Sequence, residues 1–365
     1  MHSSVQSVSE PIVVSSGGRI LRLDGFRWWA AFVVFMSHAL PMKYQLGIQW
    51  GAYAVAFFFV LSGFVITRSM LQGWEGDRGL RNMGLWWWTF FRKRIFRILP
   101  PFLLVMLFIQ CFIPIALMPN AWEYWFFLGN MSMYWHGVVN PASAHLWSVA
   151  VEEQFYLIWP LLFMVGKWRF QFNQSLHLFL VFLVFGGLLI RLFGHGVLFP
   201  NFYREQLMPM VFEALMIGAL LTSFRPIRKG VLKVLLPLGF FVFMLGVVPT
   251  FWGSVHSNHL VLNELRYQAV IFISACWIIR SREEVVRISD VLLLSEWVQY
   301  AGRFSYGFYL FHVPILYVIR ASAPMHWIPT ALLTLLLTIC VSIGSYEFVE
   351  RPLMRWNRNR MVISP

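Results

Sequence analysis

Charge is what this 365-residue sequence has least of: Asp, Glu, Lys and Arg together make up 12% of it, and only 16 residues are acidic. Soluble domains carry about 25% charged and about 45–50% apolar residues. Here the hydrophobic share is 59% and the mean hydropathy +0.65. So few charges cannot cover the surface of a soluble protein of this length, whereas lipid requires none. Cysteine is also scarce. Cys111, Cys276 and Cys340 lie in apolar runs with no pairing or metal-ligand spacing, so they read as small core hydrophobes and fix no redox compartment. The first 18 residues lack a long apolar stretch followed by a small-residue cleavage site, so they read as a flexible cytosolic tail. There is no internal repeat and no low-complexity tract.

Long apolar runs are what the sequence does have. A helix crossing a bilayer needs about 20 mostly apolar residues. Segments 27–46, 52–70, 98–118, 146–165, 176–193, 207–223, 231–250, 265–280, 300–320 and 328–348 meet or approach that length. With the N-terminus in the cytosol, all of the 29 Lys and Arg except Lys43, Arg191, Arg204, Arg266 and Arg320 fall on the cytosolic side. That asymmetry is the positive-inside pattern. The reading is therefore an all-α, polytopic bundle of about ten transmembrane helices with both termini cytosolic. The membrane domain spans 19–356, and 357–365 form a second cytosolic tail. The formal net charge of +13 is spread over every inner loop as topology requires, which removes nucleic acid as a partner.

Ionisable groups inside a membrane ask for a reason. In RLDGFRWWAAFVVFMSHAL, Arg27 and His38 are separated by ten residues. Eleven steps of about 100° bring both onto one helix face, about 16 Å apart along the axis. Arg27 then sits at the cytosolic boundary and His38 near the midplane, which suits a long ligand with an anionic head and a reactive far end. Arg27 alone would read equally well as a snorkelling interfacial residue.

In HLWSVAVEEQFYLIWP, Glu152 and Glu153 fall one turn into an apolar helix. Helical spacing puts Glu152 on a face with Tyr156 and Trp159, suited to an acceptor channel, and Glu153 nearer a wet or helix-contacting edge. His312 lies well inside the apolar stretch AGRFSYGFYLFHVPILYVI, where a structural hydrogen bond is the commoner role. His145 reads as an outer interfacial residue. In FFRKRIFRILPP, Arg92, Lys93, Arg94 and Arg97 fit positive-inside anchoring. Arg94 and Arg97 also share a face suited to phosphates, and the two readings are evenly matched. The HSNH run at 256–259 is too weak to argue for a metal.

Six ordered landmarks carry a resemblance. They are LDGFRWWAAFVVFMSHA, FFFVLSGFVIT, FRKRIFRILP, LWSVAVEEQFYLIWP, GRFSYGFYLFHVP and YEFVERP. Together, in this order, they resemble the acyltransferase-3 family of membrane acyltransferases. The resemblance implies acyl-CoA, by default acetyl-CoA, as a cytosolic co-substrate with no permanently bound cofactor. It implies His38 as catalytic base, and Arg27, Arg92, Arg94 and Arg97 as residues near the donor. Glu152 matches the first Glu of the family's fourth-helix motif and is expected to be catalytic, orienting the His38 imidazole or stabilising the imidazolium; His312 matches the ninth-helix His, here expected to bind substrate with Tyr156 and Trp159. Ala56 departs from the polar residue that many relatives place before FFVLSGF.

With ERPLMRWNRNR near the end of the sequence, transfer is expected to be completed by the membrane domain, without an appended periplasmic SGNH-hydrolase-like domain. The expected activity is O-acylation of an exopolysaccharide or its lipid-linked repeat unit at a bacterial inner membrane. A transporter or flippase of an anionic or acylated solute is the alternative, its buried His and Glu relaying protons.

Overall fold

The structure is a computed structural model that describes residues 20–45, 48–73, 80–117, 119–170, 176–194, 206–223, 229–251, 260–282, 290–323 and 325–363. The tail expected over 1–18 lies outside these residues, as does the HSNH run. Every described element is a helix. The long ones are α1 (Leu21–Ala39), α2 (Trp50–Gln72), α3 (Leu80–Phe112), α6 (Leu146–Phe170), α7 (Leu176–Gly194), α8 (Met208–Leu220), α9 (Lys229–Phe251), α10 (Leu260–Ser281), α12 (Glu296–Ser322) and α13 (Trp327–Ser345). Short helices α4 (Ala121–Trp125), α5 (Gly129–His136) and α11 (Val291–Leu294) lie between them, and a π turn (Tyr346–Glu350) joins α13 to α14 (Arg351–Ile363). Each of the ten apolar segments therefore contains a helix. Among the described residues, five helices are long and apolar enough to cross a membrane, in α2, α3, α6, α9 and from α13 onward.

Three boundaries differ from the sequence reading. α1 ends at Ala39 instead of 46, so His38 stands in its last turn rather than in the middle of a span. Gln45 and Arg320 explain the early end. The Gln45 amide donates to Ser37 O (2.8 Å) and Leu40 O (3.0 Å), and Arg320 Nη2 donates to His38 O (3.0 Å). Side chains thus satisfy the carbonyls that a helix end leaves open. α3 begins at Leu80 instead of 98 and runs through Pro100 and Pro101. Proline removes one backbone donor each time, a loss that packed membrane helices tolerate. The basic cluster at 92–97 therefore lies in the middle of a long helix rather than just before the start of a span. At the far end, residues 357–363, expected as tail, continue α14.

Packing follows membrane rules rather than an aqueous hydrophobic stripe. α13 turns Leu332, Leu336 and Val341 outward and buries Thr330, Thr334, Thr338 and Ser342 toward the bundle. Thr334 and Ser342 each donate to the carbonyl four residues earlier (2.7 and 2.6 Å), so these small polar residues let α12 approach closely. α2 and α8 are closer still. A Cβ on Gly63 would run into Leu215 O, and one on Gly218 into Val60 O. Beside them, Arg191 of α7 donates to both Glu264 oxygens (2.7 and 3.0 Å) and lies 3.4 Å from Glu213, while its guanidinium covers the Tyr267 ring at 3.7 Å. The intramembrane charges expected on the outer side are thus paired in the core, as low dielectric demands.

Candidate active site

α1, α2, α6 and α12 surround three cavities that follow one another along the bundle. The first, about 500 Å³, opens at the end where α1 begins and is lined by Arg27, Arg68, Arg97, Arg303, Tyr306 and Glu350 among others. Arg27, Arg97 and Tyr306 also line the second, about 100 Å³, together with Arg94, Ser62, Glu152, Glu153 and Tyr156. Val55 and Tyr309 are shared by the second and the third, about 320 Å³, which holds Ser37, His38, His145, Trp147 and Gln206. A line of side chains thus leads from a cationic mouth, past two carboxylates, to imidazoles.

Helical spacing explains the line. On α12, Arg303, Tyr306, Tyr309 and His312 recur every third residue; each step falls about 60° short of a full turn, so the row winds half-way round the helix between the mouth and the histidines. On α1, Arg27 and His38 share a face, as expected from their spacing. Arg27 Nη1 donates to Asp24 Oδ1 at 3.1 Å, so the mouth holds an ion pair as well as spare positive charge.

Three histidines meet at the far end. His312 Nε2 is 3.3 Å from His38 Nδ1, and the His145 and His312 ring centroids are 5.4 Å apart. Backbone carbonyls set their tautomers, because a carbonyl can only accept and its partner nitrogen must carry the hydrogen. His38 Nδ1 lies 2.9 Å from Val34 O, His312 Nδ1 lies 2.6 Å from Tyr309 O, and His145 Nε2 lies 2.9 Å from Leu310 O. His38 therefore keeps its Nε2 lone pair, the form a general base needs. His312 presents Nε2 as an acceptor beside the His38 Nδ1–H, which orients the ring.

Glu152 accepts from Ser62 Oγ (2.8 Å) and from Tyr156 OH (3.4 Å). Glu153 lines the same cavity, which corrects its expected place at a wet or helix-contacting edge. Trp159 does share the Glu152 face, but that face packs on α2. Its Nε1 donates to Thr67 Oγ1 (2.8 Å) and the side chain is fully buried, away from all three cavities. Arg94 stacks over the Phe90 and Tyr156 rings and Arg97 reaches the first and second cavities, whereas Arg92 lines none of the three.

His145 corrects another expectation. It is 2% exposed and part of the histidine cluster, not an outer interfacial residue. Tyr309 was not singled out from the sequence; its hydroxyl is 2.6 Å from Ser148 Oγ and donates to His145 O at 3.1 Å. The three-residue rhythm of Arg303, Tyr306, Tyr309 and His312 was the available signal. Over the third cavity lies the α4–α5 segment. Phe127, at φ 56°, is strained there and held by stacking on Phe102 and by Gln154 donating to its carbonyl (3.1 Å). Burial pushes the Glu123 carboxyl up, but bonds from Ser132, His136 and Asn120 outweigh it and hold the group below its usual range. Among the described residues no group of His, Cys, Asp and Glu fits a metal ion.

Known proteins agree with a transferase. The chain is 25% identical to an O-acetyltransferase OatA of Staphylococcus aureus over 91% of its own length and 57% of that protein's. It is 26% identical to the peptidoglycan O-acetyltransferase OatA of Listeria monocytogenes, covering 91% of this chain and 55% of the relative. A putative peptidoglycan O-acetyltransferase YrhL of Bacillus subtilis is also 26% identical, with 91% and 54% covered. The chain thus spans little more than half the length of these relatives. No solved structure matches it. Residues 20–347 match the acyltransferase-3 family, described as an acyltransferase domain. That match runs from the first turn of α1 into the π turn, taking in the three cavities and the histidines between them. This multi-pass membrane protein belongs to the acyltransferase-3 family.

Proposed function

We propose that the chain is a membrane O-acyltransferase that moves an acyl group, acetyl by default, from acyl-CoA to a carbohydrate hydroxyl. The observation that carries this reading is the graded path: arginines at one mouth, and a base-competent imidazole about 16 Å along α1 from Arg27. Arg27, Arg94 and Arg97, joined by Arg68 and Arg303, suit the phosphates of CoA. The pantetheine arm is thin enough to reach inward. His38 Nε2 takes the proton of the sugar hydroxyl as its oxygen attacks the thioester carbonyl, and the CoA sulfur leaves with that proton. Glu152 lies on the donor side and orients Tyr156 and the arm, a role distinct from the imidazole partner first expected. His312 positions His38.

In this reading ten helices cross the bacterial inner membrane with both termini cytosolic, and the acceptor is met on the outer side. The similar proteins named for peptidoglycan direct attention to a cell-wall glycan, where the sequence alone suggested an exopolysaccharide. A sugar hydroxyl is common to both. The test is purified protein in nanodiscs with acetyl-labelled acetyl-CoA and an oligosaccharide acceptor. Release of free CoA with label on the glycan supports the proposal; an intact thioester points to a transporter and rejects it.

Two substitutions probe the donor half. Arg27→Ala should raise the acetyl-CoA KM by about tenfold or more with little change in kcat, since a charge-assisted hydrogen bond is worth about 1.5–3 kcal/mol. Loss of kcat at unchanged KM would move Arg27 elsewhere in the mechanism. Glu152→Gln should lower kcat/KM by about tenfold and Glu153→Gln by less, because Ser62 and Tyr156 bond Glu152. Both carboxylates line one cavity, so equal losses would mean they act as a pair.

A further inference from the structure

The third cavity differs from the other two in its chemistry. No Lys, Arg, Asp or Glu is among the described residues that line it, although Arg, Asp and Glu line the other two cavities. Its polar lining is uncharged: the amides of Gln45, Gln49 and Gln206, the imidazoles of His38 and His145, and the hydroxyls of Ser37 and Tyr309. Two buried atoms there, Gln206 Oε1 and His145 Nδ1, have no hydrogen-bond partner among the described residues. Buried polar groups are almost always paired, so such atoms ask for one. Both are acceptors: Oε1 is a carbonyl oxygen, and His145 Nδ1 carries no hydrogen because Nε2 holds it against Leu310 O. What completes them must donate. Carboxylates and phosphates only accept, whereas a hydroxyl donates and accepts at once. At about 320 Å³ the cavity lies at the small end of ligand sites, so it holds one ring rather than a chain. Trp147 lines one wall and offers an aromatic surface to the apolar face of a ring.

We propose that this cavity is the acceptor subsite and that it takes an uncharged pyranose ring, bonded by Gln206 and His145 and stacked on Trp147. Ser37 and His38 line the same cavity, so a hydroxyl of that ring stands within the reach of the base. The assignment rests on the acyltransferase reading above but concerns binding, and it is tested without transfer. Calorimetry in nanodiscs, with no acetyl-CoA present, compares chitotetraose with tetragalacturonate, which carries a carboxylate on each ring. The neutral oligomer should bind at least about tenfold tighter. Gln206→Leu should weaken it by about tenfold, the loss of one buried hydrogen bond. Gln206→Met, which keeps the length of the side chain but removes the acceptor oxygen, should weaken it as well and covers the case in which the leucine variant fails to fold.

No binding of chitotetraose, equal binding of the acidic oligomer, or unchanged binding by both Gln206 variants overturns the subsite. An octyl glycoside of N-acetylglucosamine separates the two sources of such a ring: tighter binding than the free oligomer identifies a lipid-linked glycan, weaker binding a polymer. Either outcome upholds the ring. Intact glycan binding without CoA release would reject the transferase reading alone. CoA release without glycan binding would reject the subsite alone.

Discussion

Alanine in place of His38 is expected to abolish acetyl transfer, lowering kcat/KM by about 10²–10⁴-fold, the usual contribution of a positioned general base. The protein should still insert and stay folded. His38 is only half-buried at the end of α1, and the turn it occupies is held by Gln45 and Arg320 through backbone carbonyls that the substitution leaves in place. His312→Ala makes a useful companion. It removes the group beside His38 Nδ1 but leaves Val34 O to fix the tautomer, so its loss of rate should be smaller. Labelled transfer in membranes, beside size-exclusion profiles of both variants, reads the two effects apart. Near-normal acylation by the His38 variant would make that imidazole structural and end the mechanism proposed.

The second large effect is on folding. Gly218→Val should leave little or no folded protein, because the new side chain would have to occupy the place of the Val60 carbonyl and the Phe64 backbone nitrogen. Neither is a flexible end that can swing away. α2 and α8 would separate, and α2 carries Ser62 and the cavity wall at Val55. Overpacking commonly costs about 1–3 kcal/mol, and a clash with the backbone of the neighbouring helix, which cannot swing aside, exceeds that range. Gly186→Ala is the control. Nothing lies within 4 Å of its added Cβ, and alanine favours a helix interior by about 1 kcal/mol, so its unfolding temperature should hold or rise. A Gly218 variant that melts with the wild type would disprove the close approach.

The ten helices were legible because the membrane imposes long apolar runs, and the Arg27–His38 alignment was legible because both lie on one helix. What crosses between helices was not. His145 precedes α6 by one residue and reads as a boundary residue until α12 brings Leu310 and His312 against it. Trp159 obeys the predicted periodicity, yet the face it shares with Glu152 is turned to Thr67 and Ser62 on α2 rather than to an open channel. Glu153 points about 100° from Glu152 along the helix, and both still reach one cavity because Arg94 and Tyr306 enclose it from other elements. The early start of α3 escaped because Leu80–Arg97 is amphipathic and charged, without the apolar run that marks a span.

Val55 and Tyr309, which among the described residues line both the second and the third cavity, have a consequence for the cell. A protein with a polar route through it is a hazard to any ion gradient held across its membrane. Here the route narrows to a valine side chain and a phenol whose hydroxyl is tied to Ser148 and to the carbonyl of His145, with the Phe58 ring at its edge. In the mechanism proposed, the pantetheine arm fills that neck as it passes, so the thioester takes the place that a file of water would need. Acyl groups would then cross one at a time in that mechanism, carried on a slender thioester, while the membrane keeps its electrical seal.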